Sequence, residues 1–181
     1  MEFYMFEPEE TIQDYITGRQ LPYSDDEYIR QSIERLLVHE KGFQAEAIEV
    51  SRSFAIEIEG ENAAGRVDLL VLHENRPLMA IKCIRGSLVT REREALAASR
   101  LVCDVQVPWT VITNGEDAEI LDTLTGKLTG QGLDAIPDLD SAKAKFGELE
   151  YIALPEKRRA IESRIYLAYA SFQCPSKCPV E

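Results

Sequence analysis

The chain has 181 residues, 45% hydrophobic and 29% charged, which suits a single domain with its own core and excludes a disordered chain. Its net charge of −12 divides into −10 over residues 1–65, +2 over 66–115 and −4 over 116–181. That acidity excludes strong non-specific affinity for nucleic acid, which depends on Lys and Arg neutralising phosphates. Without an apolar run near the roughly 20 residues of a bilayer span, or a basic n-region within Met1 to Glu7, a cytoplasmic protein with no membrane partner is expected.

Residues 8–18 read as a short helix opening at Pro8 and stopping at Gly18, and Leu21 to Ser24 as a connector. A longer helix is expected from Ser24 or Asp25 to Lys41. Ser24 suits an N-cap and Glu27, three residues on, completes a capping box. Ile29, Ile33, Leu36 and Leu37 form its apolar stripe, and Gly42 ends it. Ala47–Val50 and Phe54–Glu59 alternate apolar and acidic residues, as half-exposed strands do. Gly60 to Gly65 reads as a turn.

Two apolar runs follow, Arg66 to His73 and Pro77 to Ile84, with Asn75 and Pro77 marking a turn between them. Being almost fully apolar, they read as central strands buried on both faces. Thr90 is placed to cap a helix from about Arg91 to Val102. Pro108–Thr113 reads as another buried strand, ended by Asn114 and Gly115. Ala118–Thr123 suggests a short hairpin with it. Leu128 to Asp140 is loop-like, and helices are expected at about 140–147 and 155–172. The order implies an α/β sandwich with a central mixed sheet flanked by helices.

Asp68 and Lys82 interrupt the two apolar runs. An ion in a buried strand is costly without a partner, so the two residues stand out. They read either as a structural ion pair or as a site. A site of this kind suits phosphodiester hydrolysis, which needs a divalent cation on hard oxygen ligands and an activated water. Asp68 would be a metal ligand, the backbone carbonyl of Ile81 a second, and Lys82 would position the water.

The cysteines are Cys83, Cys103, Cys174 and Cys178. They lack a CxxC pair, so reduced structural thiols are expected. A shared metal site and a disulfide in the tail are the alternatives.

Residues 24–126 resemble the N-terminal nuclease family of type I restriction enzyme R subunits, within the PD-(D/E)xK restriction-endonuclease-like fold. The matching pieces are Glu27-Tyr-Ile-Arg-Gln31, Leu36 to Phe43, Gly65 to Val71, Pro77 to Lys82 and Val107 to Gly115. The resemblance implies a restriction-endonuclease-like core at about 24–126, with 127–181 as a C-terminal helical extension of one domain. It implies DNA as substrate, Mg²⁺ as cofactor, Asp68 and Lys82 as catalytic residues, and a protein partner or second copy as further possibilities. Glu27 matches the helix acid that completes the metal site, with Glu34 as the fallback. Its alternative role is capping.

Two positions depart from the family pattern. The second strand acid falls at Ala80, and the Gln of the following helix at Ala97. Glu94, one turn before Ala97, is a substitute metal ligand, or else a solvated partner of Arg91 or Arg93. Arg66, Arg85, Arg91, Arg93 and Arg100 are candidates for phosphate contact. Two readings follow: Mg²⁺-dependent DNA hydrolysis, impaired by Ala80 and Ala97, or a non-catalytic binding or assembly module of the same fold.

Overall fold

The computed structural model describes residues 10–58 and 60–171. It opens on a hairpin of β1 (Thr11–Gln13) and β2 (Gln20–Pro22). This corrects the helix expected over 8–18. The carboxylate of Asp14 accepts from the N–H and hydroxyl of Thr17 at 2.6 and 2.7 Å. That turn, followed by Gly18 at φ 69°, reverses the chain where a helix would have continued.

Helix α1 (Asp25–His39) starts as expected, with Ser24 accepting from the Glu27 N–H. Ile33 and Leu37 are buried, and so are Arg30, Gln31 and Glu34. The helix therefore buries a polar stripe beside its apolar one.

The six-stranded sheet runs β3 (Ile48–Ile58), β4 (Glu61–His73), β5 (Arg76–Cys83), β6 (Trp109–Thr113), β7 (Ala118–Asp122) and β8 (Leu128–Gln131). All neighbours are antiparallel except β5 and β6, which are parallel. The two expected strands before Gly60 form one strand. β4 begins at Glu61, so the expected turn at 60–65 is mostly strand, and β8 occupies part of the expected loop. Short-range pattern missed these because pairing with β3 and β7 supplies the backbone partners that local sequence does not reveal.

Between β5 and β6, helix α2 (Glu92–Leu101) makes the crossover. Thr90 does not cap it. Its hydroxyl donates to the Ser87 carbonyl within a preceding 3₁₀ turn, Val89–Arg91. Helices α3 (Leu139–Phe146) and α4 (Glu156–Ser171) complete the chain.

One face of the sheet packs Leu69, Val71, Met79, Ile81 and Val111 against Ile33 and Leu37 of α1 and Ala142 of α3. The other packs Phe54, Leu70 and Ala80 against Ala97, Ala98 and Leu101 of α2 and Tyr166 of α4. The result is the expected α/β sandwich with a central mixed sheet, consistent with a restriction-endonuclease-like fold. Its C-terminal part contributes to both cores and adds a strand before its helices.

Candidate functional site

Asp68 lies where the pairing of β4 fails on both sides. Against β3, the register passes from Val50–Leu69 to Arg52–Val67 and skips Ser51 and Asp68. Ser51 takes φ 53°, a left-handed conformation that L residues rarely adopt. Against β5, pairing ends at Leu69–Ile81, although β5 stays paired with β6 as far as Cys83–Thr113. The two strands splay from there, and the side chain of Asp68 enters the gap. Its Oδ2 accepts from the Cys83 N–H at 2.8 Å, replacing a ladder bond.

Lys82 meets the same oxygen at 3.4 Å, and Arg66 reaches Oδ1 at 3.8 Å. The Asp68 and Lys82 side chains are 9% and 11% exposed, so their interaction is largely shielded from water. Burial pushes the Cys83 thiol well above its usual range, and the charge of Asp68 adds to it. Cys83 and Cys103 are free thiols. Cys174 and Cys178 lie outside the described residues, as does any bond between them.

The splay opens a cleft of about 430 Å³. Asp68, Lys82 and Glu27 line it together, as do Arg30, Arg66, Arg85 and Arg91. Among the described residues, five basic and three acidic side chains line it, and Asp14, Glu34, Asp25 and Glu94 outside the lining pair with Arg30, Arg85 and Arg91, so a basic lining is backed by acids.

Two expected site residues lie elsewhere. Ile81 is fully buried, pairs with Leu69 on one side and Val111 on the other, and is not part of the cleft lining. Glu94 is not part of the lining either. It is 1% exposed and accepts from Arg91 at 2.9 Å. The Arg91 partnership is the alternative drawn from sequence, but the pair is shielded rather than solvated. Of the five arginines considered for phosphate contact, Arg66, Arg85 and Arg91 line the cleft. Arg100 is buried in α2 and bonds Glu162 of α4 at 2.8 Å and the Thr123 carbonyl at 2.9 Å. It ties helices together.

Sequence reasoning missed Arg30. It lines the cleft and bonds Asp14 at 2.7 Å, Glu34 at 2.6 Å and the Glu27 carboxylate. The signal was present: Glu27 and Glu34 flank it at three and four residues, the spacing of helical ion pairs. Only Asp14 could not have been foreseen. One guanidinium facing three carboxylates leaves an excess of negative charge. Burial pushes Glu34 up to about 7. Burial also acts to raise Asp14, but hydrogen bonds from Thr17 and Arg30 outweigh it and hold its pKa low.

The donors present do not fit a Mg²⁺ ion. Such an ion needs near-octahedral hard oxygen ligands. Here Asp68 is engaged by Lys82, Arg66 and the Cys83 N–H, and Glu27 by Arg30. Ala80 offers no ligand and packs with Ala97 and Ala98. The two departures from the family pattern thus fall in one apolar cluster, where α2 sits against β5. Among the described residues, no three His, Cys, Asp or Glu side chains converge to hold a metal.

A sequence model of the family described as the type I restriction enzyme R protein N terminus matches residues 25–137. No curated protein and no solved structure matches significantly.

Proposed function

The chain belongs to the type I restriction enzyme R protein N-terminus family, and from that membership we propose that its cleft holds a DNA phosphodiester backbone without the divalent cation that hydrolysis would require. The observation that carries this reading is the pairing of each expected acid with a cation: Asp68 with Lys82, Glu27 with Arg30, Glu94 with Arg91. The exposed cations at the rim would then exchange carboxylate oxygens for those of phosphate. Arg66 and Arg85 are the most exposed of them, at 61% and 64%. Guanidinium groups suit phosphate oxygens because two N–H groups bind in one plane. Asp68 repels an anion little while Lys82 and Arg66 neutralise it. Asp25 and Asp26, at 3.5 and 3.0 Å from Arg85, temper the affinity.

One observation favours the competing reading of Mg²⁺-dependent hydrolysis, with Asp68 and Glu27 as ligands and Lys82 at the water: all three line one cleft. A single experiment separates the two. Binding of a labelled duplex is followed at low salt with chelator present, and supercoiled plasmid is incubated with Mg²⁺ or Mn²⁺. The expected outcome is binding that survives the chelator, weakens in Arg66→Ala and Arg85→Ala, and produces no nicking. Metal-dependent nicking that disappears in Lys82→Ala would overturn it in favour of the nuclease. Absence of low-salt binding would overturn both the DNA assignment and the role of the arginines.

A further inference from the structure

At the opposite end of β6 from Lys82's neighbours lies a second, smaller pocket of about 200 Å³. Gln106, Trp109 and Asp122 line it, together with Glu148, Glu150 and Ile152 from the segment joining α3 to α4. We propose that this pocket receives an arginine side chain from a partner protein, presented within an apolar segment.

Charge is the first ground. Among the described residues, three carboxylates line the pocket and no basic side chain does. Asp122 already accepts from the Thr125 N–H and hydroxyl through Oδ1, at 2.7 and 2.5 Å, which leaves its other oxygen for a ligand. Arg76 is committed to aromatic faces, 3.7 Å from the Tyr151 ring centre and 4.9 Å from that of Phe146.

The second ground is independent. Gln106 is 7% exposed, and its Oε1 is buried without a hydrogen-bond partner. Its backbone cannot relieve this by moving, because the Gln106 N–H donates to the Ile152 carbonyl at 2.9 Å and Val105 bridges to Ala153. An orphaned buried acceptor costs about 1–3 kcal/mol, and a turn of the Gln106 amide that brings its oxygen to a ligand's donor in the pocket removes that cost.

Shape and chemistry select the ligand. A pocket of about 200 Å³ lies below the ~300–1,000 Å³ of small-molecule sites, so it suits one side chain. A guanidinium has the planar fork to donate to an amide oxygen and a carboxylate together while lying against an indole. An ammonium does not. Exposed Leu124 (47%) and Ile152 (40%), with half-buried Leu149, supply apolar surface for the residues on either side of the arginine.

Trp109 is the only tryptophan of the chain and also borders a neighbouring pocket with Thr129 and Lys145, so the variants at Glu148, Glu150 and Gln106 locate any change in its fluorescence. The probes are the capped tripeptides Leu-Arg-Leu and Leu-Gln-Leu, titrated into the full chain. The Arg peptide is expected to give a saturable change and the Gln peptide none. The double variant Glu148→Gln/Glu150→Gln, altered only at exposed positions, is expected to weaken the Arg peptide about ten-fold, and Gln106→Leu to weaken it independently. Equal responses to both peptides would overturn the proposal. So would a response unchanged in the double variant, or no saturable change with the Arg peptide while circular dichroism shows the folded protein.

Discussion

Lys82 and Asp68 have side chains only 11% and 9% exposed, so their charges are worth more together than apart. Removing one partner from such a pair leaves an uncompensated charge and costs about 3 kcal/mol, whereas an apolar replacement of the whole pair is close to neutral. Lys82→Ala is therefore expected to lower stability in urea unfolding by about that amount, and Asp68→Asn/Lys82→Met to recover most of it. Glu34 makes the second prediction at this scale. Its folded pKa of about 7 lies above the ordinary 4.5, so between those values the folded chain keeps a proton that the unfolded chain releases. Stability from this group is complete below 4.5 and falls as pH rises through 7. Glu34→Gln, which mimics the protonated form, is expected to flatten that decline and to exceed the parent above neutrality by on the order of 2 kcal/mol, read from unfolding curves across pH. Asp14 works in the opposite sense: with its pKa lowered from 3.8, its contribution is lost only in acid below that value.

Among the elements, the clearest dependence is that of β4 on β3 and α4. A Cβ on Gly65 would stand 2.3 Å from Phe54 Cζ and 2.9 Å from Tyr166 Cε1. The two rings meet edge to face at 5.3 Å, and the Tyr166 hydroxyl accepts from the Arg66 N–H at 3.0 Å. Gly65→Ala is expected to cost about 2 kcal/mol through overpacking, measured by thermal melting, with a smaller loss when Phe54→Leu makes room. Helix α2 carries the other element-scale prediction. Ala80, Ala97 and Ala98 share one apolar cluster, so Ala80→Glu places an unpaired acid between β5 and α2 and is expected to cost about 3 kcal/mol. Added Mg²⁺ is expected not to restore the melting temperature of that variant. Restoration would show that the position is a vacant ligand place. Much of this layer was legible in sequence. α1 with its Ser24 cap, the apolar runs that became β4 and β5, and the β6–β7 pair all follow from periodicity and turn residues. The β1–β2 hairpin and β8 were not legible, because three- and four-residue strands carry too few side chains to display a period, and their partners decide them.

Across the whole molecule, two charge distributions are superposed. The chain is acidic, yet basic side chains predominate in the lining of the cleft at one end of the sheet, while acids line the pocket at the other. With at most three exposed or half-exposed arginines able to exchange a carboxylate partner for phosphate, the affinity for duplex DNA is expected to fall by roughly forty-fold between about 50 and 200 mM salt, a slope near −3 in log–log terms. A much steeper slope would place DNA on a surface beyond the cleft. The primary structure by itself determined the α/β class, the mixed central sheet, the Asp68 and Lys82 strands and the absence of acid and amide at Ala80 and Ala97. Those depend on side-chain identity and short-range spacing. Only the tertiary structure decided which distant groups meet and which pairs are shielded. It brought Asp14 to Arg30, buried Glu94 beside Arg91, kept Ile81 out of the cleft and set Ala80 against Ala97. The physical reason is that pairing and burial depend on where the strands splay and how the helices pack, and those distances link residues far apart in the chain.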